Sequence, residues 1–453
     1  MNRATTYILL AIGILLAGYI YLVEIKQKSE TEQKKEAARR LFHFTEDSVQ
    51  TVEIINRNGE FQFQKEDTGW QLVSPLKTEA DETALHSLFN SLENLKSERR
   101  FPISREKVAD FGLLHPAVVL RVALQNGSKD SLRLGDNTPV GGYVFASKTD
   151  TVVLIVEKSI KAALGKSLQD WRDKRLLHFE KPLVSEVVIH REQETIRFVR
   201  KEDGNWWIAN IERPAEDYTV TNILDKLNSQ GARNFIDNPS KNLRRYGLQS
   251  PAYRVEVVTD DNHPRQVLRI GKKVDDGYYA RDDSRRPIFE VNTALVDELK
   301  KPVNDFRDKD LVKNLDTEGI NGVVVAYNDT VLTCRKDSGG RWYLDEPGMP
   351  PADGDRIKTL LDNISYARIS DFVVDNPADL QRYGLDHPAL KTQLFSDDSL
   401  LVEIRIGKKA GARYYAMTSR FPSVYVVAKS VYDDLKIKRQ SLLLKKEEKN
   451  EKK

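Results

Sequence analysis

Length, composition and charge narrow the classes of protein that this chain can belong to. It has 453 residues, 40% hydrophobic and 31% charged, which suits about three ordinary domains that each bury a core. The formal net charge of +3 argues against a nucleic-acid-binding protein, which should carry a concentrated basic face. The single cysteine, Cys334, excludes an intramolecular disulfide and a cysteine-based metal cluster, and its alternating strand context favours a buried thiol.

An uncharged segment near the amino terminus, Ala4 to Val23, is long enough to cross a membrane. A helix of this length spans about 30 Å, one hydrocarbon thickness. No small-residue cleavage site follows its apolar centre, so we predict an uncleaved transmembrane anchor at 1–25 and a charged stalk at 26–39. Lysines and arginines after the segment, counted alone, favour a cytoplasmic carboxyl-terminal side, but interleaved glutamates leave the orientation open.

One nine-residue motif occurs three times in the rest of the chain. Each copy holds an aromatic residue, a glycine, a leucine and, three residues later, a proline. The glycines are Gly112, Gly247 and Gly384, and their spacings of 135 and 137 residues are those of domains and not of solenoid units. The motif predicts a short helix ended by a left-handed glycine and followed by an extended step into the proline. The copies are Val108–Pro116, Leu243–Pro251 and Leu380–Pro388.

Other residues outside the motif repeat at nearly the same period. They are Trp70, Trp207 and Trp342; Leu134-Gly135, Ile270-Gly271 and Ile406-Gly407; and Tyr143, Tyr279 and Tyr415. We therefore predict three tandem repeat domains, at 40–170, 171–305 and 306–440, and a charged disordered tail at 441–453. The tryptophans and tyrosines are interpreted as core positions, although they could also stack on sugars.

Within each repeat the pattern predicts strands, a helix, the glycine motif, further strands and a closing helix. Asp81, Asp217 and Asp353 precede apolar stripes at helical spacing and are predicted to cap the first helix. The predicted class is therefore α+β, with a mostly antiparallel sheet and two main helices per repeat. The predicted strands include Val49–Ile55, Glu60–Gln64, Val118–Leu124, Val152–Val156, Arg254–Val258, Val267–Ile270 and Val424–Val427, and the closing helices begin at Ser159, Thr293 and Ser430.

The sequence has no motif that carries a known chemistry. A P-loop, HExxH, GxSxG and a GxGxxG after a strand are all absent. His43 and His178 occupy matching positions, but the third copy has no histidine there, which weakens a shared ligand role. His115 and His387 also match, but the second copy has Ser250. We therefore predict no catalytic, metal or cofactor site, and no nucleic acid or identifiable small-molecule substrate.

The combination of a tryptophan strand, an aspartate-started helix, the Tyr-Gly-Leu-x-x-Pro motif and an Ile-Gly strand followed by a tyrosine strand resembles the bacterial domain-of-unknown-function 4340 family. The resemblance covers about residues 40 to 440, with Phe111 for tyrosine and Ser250 for histidine as departures. It implies no established activity. It does imply a single-pass membrane protein of the bacterial envelope, with its folded part outside the cytoplasm and a partner such as an ABC-type transporter component of the gliding-motility kind.

Two hypotheses about function follow. The first is a membrane-anchored, non-catalytic interaction or scaffold protein of the envelope, because repetition multiplies surface without adding chemistry. The second is a protein that binds or processes envelope glycans on aromatic platforms between repeats. Buried tryptophans would favour the first hypothesis and exposed ones the second.

Overall fold

The computed structural model describes residues 36–67, 69–229, 231–260, 264–397 and 399–444, and its strands form three sheets whose described pairings are antiparallel. The predicted anchor at Ala4 to Val23 lies outside these ranges. Within them, no helix combines the length and the apolar character needed to cross a bilayer.

The first sheet has nine strands in the order β4-β3-β2-β1-β6-β7-β8-β9-β5. The strands are β1 Val49–Asn56, β2 Gly59–Glu66, β3 Gly69–Ser74, β4 Thr78–Glu79, β5 Arg99–Pro102, β6 Val118–Leu124, β7 Lys129–Asn137, β8 Tyr143–Thr149 and β9 Val152–Glu157. The helices are α1 Glu82–Glu93, α2 Ser159–Leu164 and α3 Leu168–Trp171, with a 3-10 helix at Arg105–Phe111.

The second sheet repeats this order as β13-β12-β11-β10-β15-β16-β17-β18-β14. The strands are β10 Val184–Arg191, β11 Thr195–Arg200, β12 Trp206–Ile208, β13 Arg213–Pro214, β14 Arg233–Ile236, β15 Tyr253–Thr259, β16 Gln266–Val274, β17 Gly277–Asp282 and β18 Ile288–Asn292. The helices are α4 Asp217–Leu227 and α5 Thr293–Lys300, with 3-10 helices at Leu243–Tyr246 and Val303–Phe306.

The third sheet has the order β21-β20-β19-β23-β24-β25-β26-β22, and an isolated bridge between Tyr343 and Pro351 stands where the other sheets have a short edge strand. The strands are β19 Gly322–Tyr327, β20 Thr330–Lys336, β21 Trp342–Leu344, β22 Ile369–Asp375, β23 Leu390–Ser396, β24 Ser399–Ala410, β25 Arg413–Thr418 and β26 Phe421–Val427. The helices are α6 Gly354–Ser365, α7 Lys429–Leu435 and α8 Arg439–Leu442, with a 3-10 helix at Gln381–Tyr383. Three sheets of one topology confirm an α+β fold with repeats.

Alternating side chains give the first sheet two cores on opposite faces. Val144 and Ala146 of β8 join the main core, in which α1 buries its apolar stripe. Phe145, between them, packs in a smaller core with Val153 of β9 and Leu113 of the glycine motif. The third sheet shows the same alternation. The motif therefore covers the face of the outer strands that the helices leave uncovered.

The glycine motif works because two glycines bring backbones into close contact. Gly112, Gly247 and Gly384 have φ of 68°, 71° and 65°, which confirms the predicted left-handed caps. The second glycine of each repeat lies in the strand that contacts the motif. In the second repeat this is Gly271 of β16, and a Cβ there would lie 2.1 Å from the carbonyl oxygen of Tyr246. The recurrent Ile-Gly dipeptide is thus a site of close backbone approach.

In the second repeat, the tryptophan equivalent to Trp70 is Trp206 and not the predicted Trp207. Trp206 lies opposite Arg200, as Trp70 lies opposite Lys65 in the first sheet, and Trp206 is 5% exposed. Trp207 points to the other face because successive strand side chains alternate, so its prediction as a signature position is wrong.

In the first repeat, the predicted signature residue Tyr143 is also not the equivalent one. Ala146 pairs with Leu134 as Ala280 pairs with Ile270, which makes Phe145, and not Tyr143, the counterpart of Tyr279. The chain from Leu134 to its partner Ala146 is two residues longer than the chain from Ile270 to its partner Ala280, so the equal spacing of Tyr143 was coincidental.

The structure confirms two of the three predicted helix caps. The carboxylate of Asp81 accepts a hydrogen bond from the amide of Ala84 at 2.9 Å, and that of Asp353 accepts one from the amide of Asp355 at 3.0 Å. Asp217 instead lies inside α4, where its carboxylate accepts the amide of Trp206 at 2.8 Å, so its prediction as a cap is wrong.

The closing helices begin at Ser159, Thr293 and Lys429, within one residue of prediction. Each ends after about two turns or fewer, and a second short helix follows it and ends on a buried residue. Two short helices therefore replace each long one.

Two compact units are distinguished by their internal contacts. One comprises the chain up to His178 with Lys226–Ala252 and Gln266–Thr293, and the other comprises Phe179–Asp225, Tyr253–Arg265 and the chain from Ala294 onward. The predicted repeat boundaries at 170/171 and 305/306 stay predictions.

We predict that Gly271→Ala lowers the local free energy of unfolding by about 1–3 kcal/mol, because the new methyl group overlaps a backbone carbonyl. Hydrogen exchange of amides in β16 and in Leu243–Tyr246 measures this loss. Gly141→Ala is the control, since a Cβ there meets nothing within 4 Å. Equal protection in both variants would contradict the close-approach explanation.

Candidate functional site

The segment that follows α3 is hydrogen-bonded on both sides. We call residues 171–178 the first junction. The amide of Asp173 donates to the carbonyl of Glu79 at 2.9 Å, and that of Leu177 donates to the carbonyl of Leu227 at 2.9 Å. The junction is therefore integrated into the preceding and the following repeat, and it is not a loose linker.

Residues 306–313 form an equivalent second junction. The amide of Asp308 donates to the carbonyl of Pro214 at 3.0 Å, and that of Leu311 donates to the carbonyl of Ala367 at 2.8 Å. The Arg-Asp-Lys sequence that follows Trp171 also follows Phe306, and the aromatic residue is fully buried in both cases. One arrangement thus serves both junctions.

A buried arginine crosses each junction. Arg172, 1% exposed, places its two terminal nitrogens 2.9 and 3.2 Å from the carboxylate of Asp237, and its guanidinium lies 3.7 Å from the ring centre of Phe235. A planar guanidinium that pairs at two points and stacks on a ring fixes orientation as well as distance.

Arg307 repeats this contact in the second junction. It lies 2.9 and 3.1 Å from Asp375 and 3.9 Å from the ring centre of Phe372. Burial would raise the pKa of Asp375, but the hydrogen bonds from Ser423 and Arg307 outweigh it and hold this pKa below its usual range. Arg213, 7% exposed, adds a second guanidinium 3.3 Å from the same carboxylate.

Within the described ranges, one group of side chains has the donor atoms of a metal site: Glu79, Asp173 and His178. The Nε2 atom of His178 lies 2.8 Å from an oxygen of each carboxylate. Arg175 donates to Asp173 as well, at 2.6 and 2.8 Å. The buried carboxylate of Asp173 is therefore hydrogen-bonded by both a guanidinium and an imidazole.

The protonation of this cluster follows from its contacts. Burial alone would lower the pKa of His178, but its hydrogen bonds to Asp173 and Glu79 outweigh burial and raise this pKa. Burial would raise the pKa of Asp173, but His178 and Arg175 hold it well below its usual range. The hydrogen bond with His178 likewise lowers the pKa of Glu79. The contacts favour an imidazolium between two carboxylates.

The second junction has a lysine where the first has His178. The Nζ atom of Lys313 lies 2.9 Å from Asp308 and 3.0 Å from Asp217. An ammonium group can pair with two carboxylates, but it is neither a metal ligand nor a general base at neutral pH. The property shared by the two junctions is a cation between carboxylates.

Within the described ranges, the remaining histidines and the cysteine belong to no second group of this kind. His43, His115 and His387 are exposed and belong to no common cluster, and His263 lies outside the described ranges. Cys334 is 1% exposed, which confirms a buried thiol.

Sequence reasoning missed the group of Glu79, Asp173 and His178. The five-residue step from Asp173 to His178, repeated as Asp308 to Lys313, was an available signal. Glu79 comes from β4 at long range and gave none.

Comparison with known proteins finds one family, which matches three regions of the chain. The family model described as Domain of unknown function (DUF4340) matches residues 70–242, 206–341 and 342–452. No curated protein and no solved structure gives a match. The three matches agree with the repeats seen in the sheets.

We predict that His178→Lys removes the pH dependence of the first junction. Because the folded-state pKa of His178 is raised, its contribution is complete below the unfolded pKa of about 6.5 and is lost as pH rises through the folded value. A tenfold change in proton affinity on folding corresponds to about 1.4 kcal/mol of stability. Urea unfolding at pH 6 and pH 9 should show a smaller difference for the lysine variant. His387→Lys, at a 94% exposed side chain, is the control, and an unchanged difference in His178→Lys would refute the prediction.

We predict that Arg172→Met costs about 2–4 kcal/mol in the first junction, because it leaves the Asp237 carboxylate without its two-point partner. Arg172→Lys should recover only part of this, since an ammonium cannot pair at two points and stack. Hydrogen exchange of the Leu177 and Ala232 amides measures the loss. A fully recovered lysine variant would show that charge alone matters.

Proposed function

Because this chain belongs to the DUF4340 family of domains of unknown function, which supplies no activity, we propose from its own residues that it is a membrane-anchored, non-catalytic interaction protein of the bacterial envelope. Its folded repeats lie outside the cytoplasm in this proposal. Its partner is a membrane protein, and an ABC-type transporter component or a gliding-type system is the partner predicted from the family resemblance.

The observation that carries the proposal is the replacement of His178 by Lys313 at the equivalent position. A role of His178 as metal ligand or general base requires the imidazole, whereas its ion pairs require only a positive charge. Both junctions place a cation between two carboxylates, and the second carboxylate comes from β4 in the first junction and from α4 in the second. This supports a structural ion-pair network. The group of Glu79, Asp173 and His178, which has the donor atoms of a metal site, is therefore interpreted as an ion-pair network that joins two repeats.

The apolar segment Ala4 to Val23 supports membrane anchoring. Its 20 uncharged residues match one hydrocarbon thickness. A tether of this kind keeps a binding surface close to membrane proteins and raises its effective concentration there.

The repeated tryptophans give the glycan hypothesis no support. Trp70, Trp206 and Trp342 are 4, 5 and 9% exposed, so they offer no stacking platform. Trp207 packs edge-on against Phe421 with ring centres 5.9 Å apart. These rings contribute to packing.

The proposal is tested by complementing a deletion strain with the double variant Glu79→Gln/His178→Lys. We expect full complementation, because the variant keeps a cation at the junction and removes two metal ligands. Equal amounts of folded protein in the membrane fraction are the control. A folded variant in the membrane without function would overturn the non-catalytic assignment and place chemistry at the first junction.

A second variant tests the anchor. Leu15→Arg/Leu16→Arg should cost about 5–7 kcal/mol of insertion free energy and release the protein from the membrane fraction. Loss of function with retained folding is the expected result. The conservative variant Leu15→Ile/Leu16→Ile should pellet with membranes as the wild type does. Membrane pelleting of the arginine variant as a monodisperse, folded protein would contradict a single anchor.

A further inference from the structure

One end of the first repeat carries exposed apolar side chains. Leu114 is 61% exposed, Val140 is 83% exposed and Tyr143 is 37% exposed. Leu114 follows the buried Leu113 of the glycine motif, and the other two belong to the long hairpin between β7 and β8. We call these three residues with Arg57, Lys158 and Lys161 the first-repeat tip.

The basic residues of the tip line an open groove of about 980 Å³. Pro116 and Gly142 line it as well, and these residues lie within two positions of the three exposed apolar side chains. Among the described residues, no acidic side chain lines the groove. Arg57 and Lys158 form no ion pair with any described residue, whereas Lys161 donates to the carbonyl of Gly135 at 3.0 Å. The groove thus holds two basic side chains without ion pairs to the described residues, beside exposed hydrophobic groups.

The other repeats lack this combination, which makes them internal controls. Leu114 is replaced by Gln249 and Asp386 at the same position of the motif. The hairpin that holds Val140 is shorter in the second repeat and carries Asp275 and Asp276. The β1–β2 turn that holds Arg57 carries acidic residues in the other two copies, which are Glu192, Glu194 and Asp329. The tip is therefore not a requirement of the fold.

Resting on the proposed membrane anchoring, we infer that the first-repeat tip docks on an anionic lipid surface. Leu114, Val140 and Tyr143 enter the interface, and Arg57, Lys158 and Lys161 contact lipid phosphates. Exposed aliphatic and tyrosine side chains among basic residues match the chemistry of this interface.

The short segment between the predicted membrane span and the first repeat favours docking on the lipid surface. Only residues 24–35 separate the predicted span from the described chain, and 12 residues reach at most about 43 Å when fully extended. The first repeat is consequently held near the bilayer, where weak contacts become effectively intramolecular. Docking would then hold the first repeat in one orientation on the bilayer surface.

The test uses the full chain in vesicles, with an environment-sensitive fluorophore on Val140→Cys. Burial raises the pKa of the Cys334 thiol to about 11, so the native cysteine does not compete for labelling at neutral pH. Ala412→Cys in the exposed hairpin of the third repeat is the matched control. We expect nitroxide-labelled lipid to quench the fluorophore at position 140 and not at position 412, in vesicles that contain phosphatidylglycerol and not in pure phosphatidylcholine.

Charge and apolar variants separate the two contributions. Each basic residue near an anionic leaflet contributes about a five-fold factor, so Arg57→Gln/Lys158→Gln should lower the ratio of docked to undocked protein about 25-fold. Raising the salt concentration should have a similar effect through screening. Leu114→Asp, at an exposed position, should abolish quenching without unfolding the repeat.

Each remaining outcome is decisive. Protein that is inserted through its anchor but shows no quenching at position 140 would overturn the docking inference and leave the anchor intact. Protein that does not associate with vesicles would overturn the proposed anchoring. A fluorophore unquenched by lipid but protected in native membranes would also overturn docking on lipid and assign the tip to a protein partner.

Discussion

Each junction between repeats depends on a buried arginine whose guanidinium pairs with a carboxylate of the following repeat. Arg172 and Arg307 pair with Asp237 and Asp375 at matching distances. Burying such pairs costs desolvation, and the Nε atom of each arginine is buried with no hydrogen-bond partner in the described chain, so their net stabilisation is modest. Their effect is specificity, because a two-point pair stacked on a ring admits one orientation.

A second constraint acts within each repeat. The carbonyl of the residue before the capping glycine lies against the glycine of the neighbouring strand, and no side chain fits between them. This approach places the motif over the outer strands, where Leu113, Leu248 and Leu385 are fully buried. Each sheet can then have helices on one face and the motif on the other without a second layer of helices.

The sequence was most informative where backbone geometry dictates residue type. Gly112, Gly247 and Gly384 were correctly predicted because a left-handed cap strongly favours glycine. Exact register was harder, because a period near 136 does not reveal compensating insertions. Two extra residues in one hairpin made Tyr143 appear equivalent to Tyr279, and adjacent tryptophans left the inward-facing one ambiguous until the strand pairing showed that it is Trp206.

The cluster at the first junction could be predicted only in part, for a related reason. Asp173 and His178 are close in sequence, and their spacing recurs with Lys313, but the third partner comes from a strand almost a hundred residues away. Local periodicity carries no information about such a partner. Prediction therefore succeeded for elements and failed for the long-range ion pairs that connect them.

A comparison of the three copies separates the features that the fold requires from those found in one copy alone. The features that recur, namely the paired glycines, the core tryptophan and the Arg-Asp junctions, all have a structural explanation in backbone approach, burial or ion pairing. Features under structural selection alone should be shared by copies of one fold, whereas a role specific to one copy should appear as a difference. Some differences lie at exposed ends of the repeats, where loops tolerate change, and the replacement of the exposed Leu114 by Gln249 and Asp386 is an example. Under the interaction role proposed above, we expect the binding surface at such exposed ends, because copies of one fold can differ there without loss of the core or of the junctions.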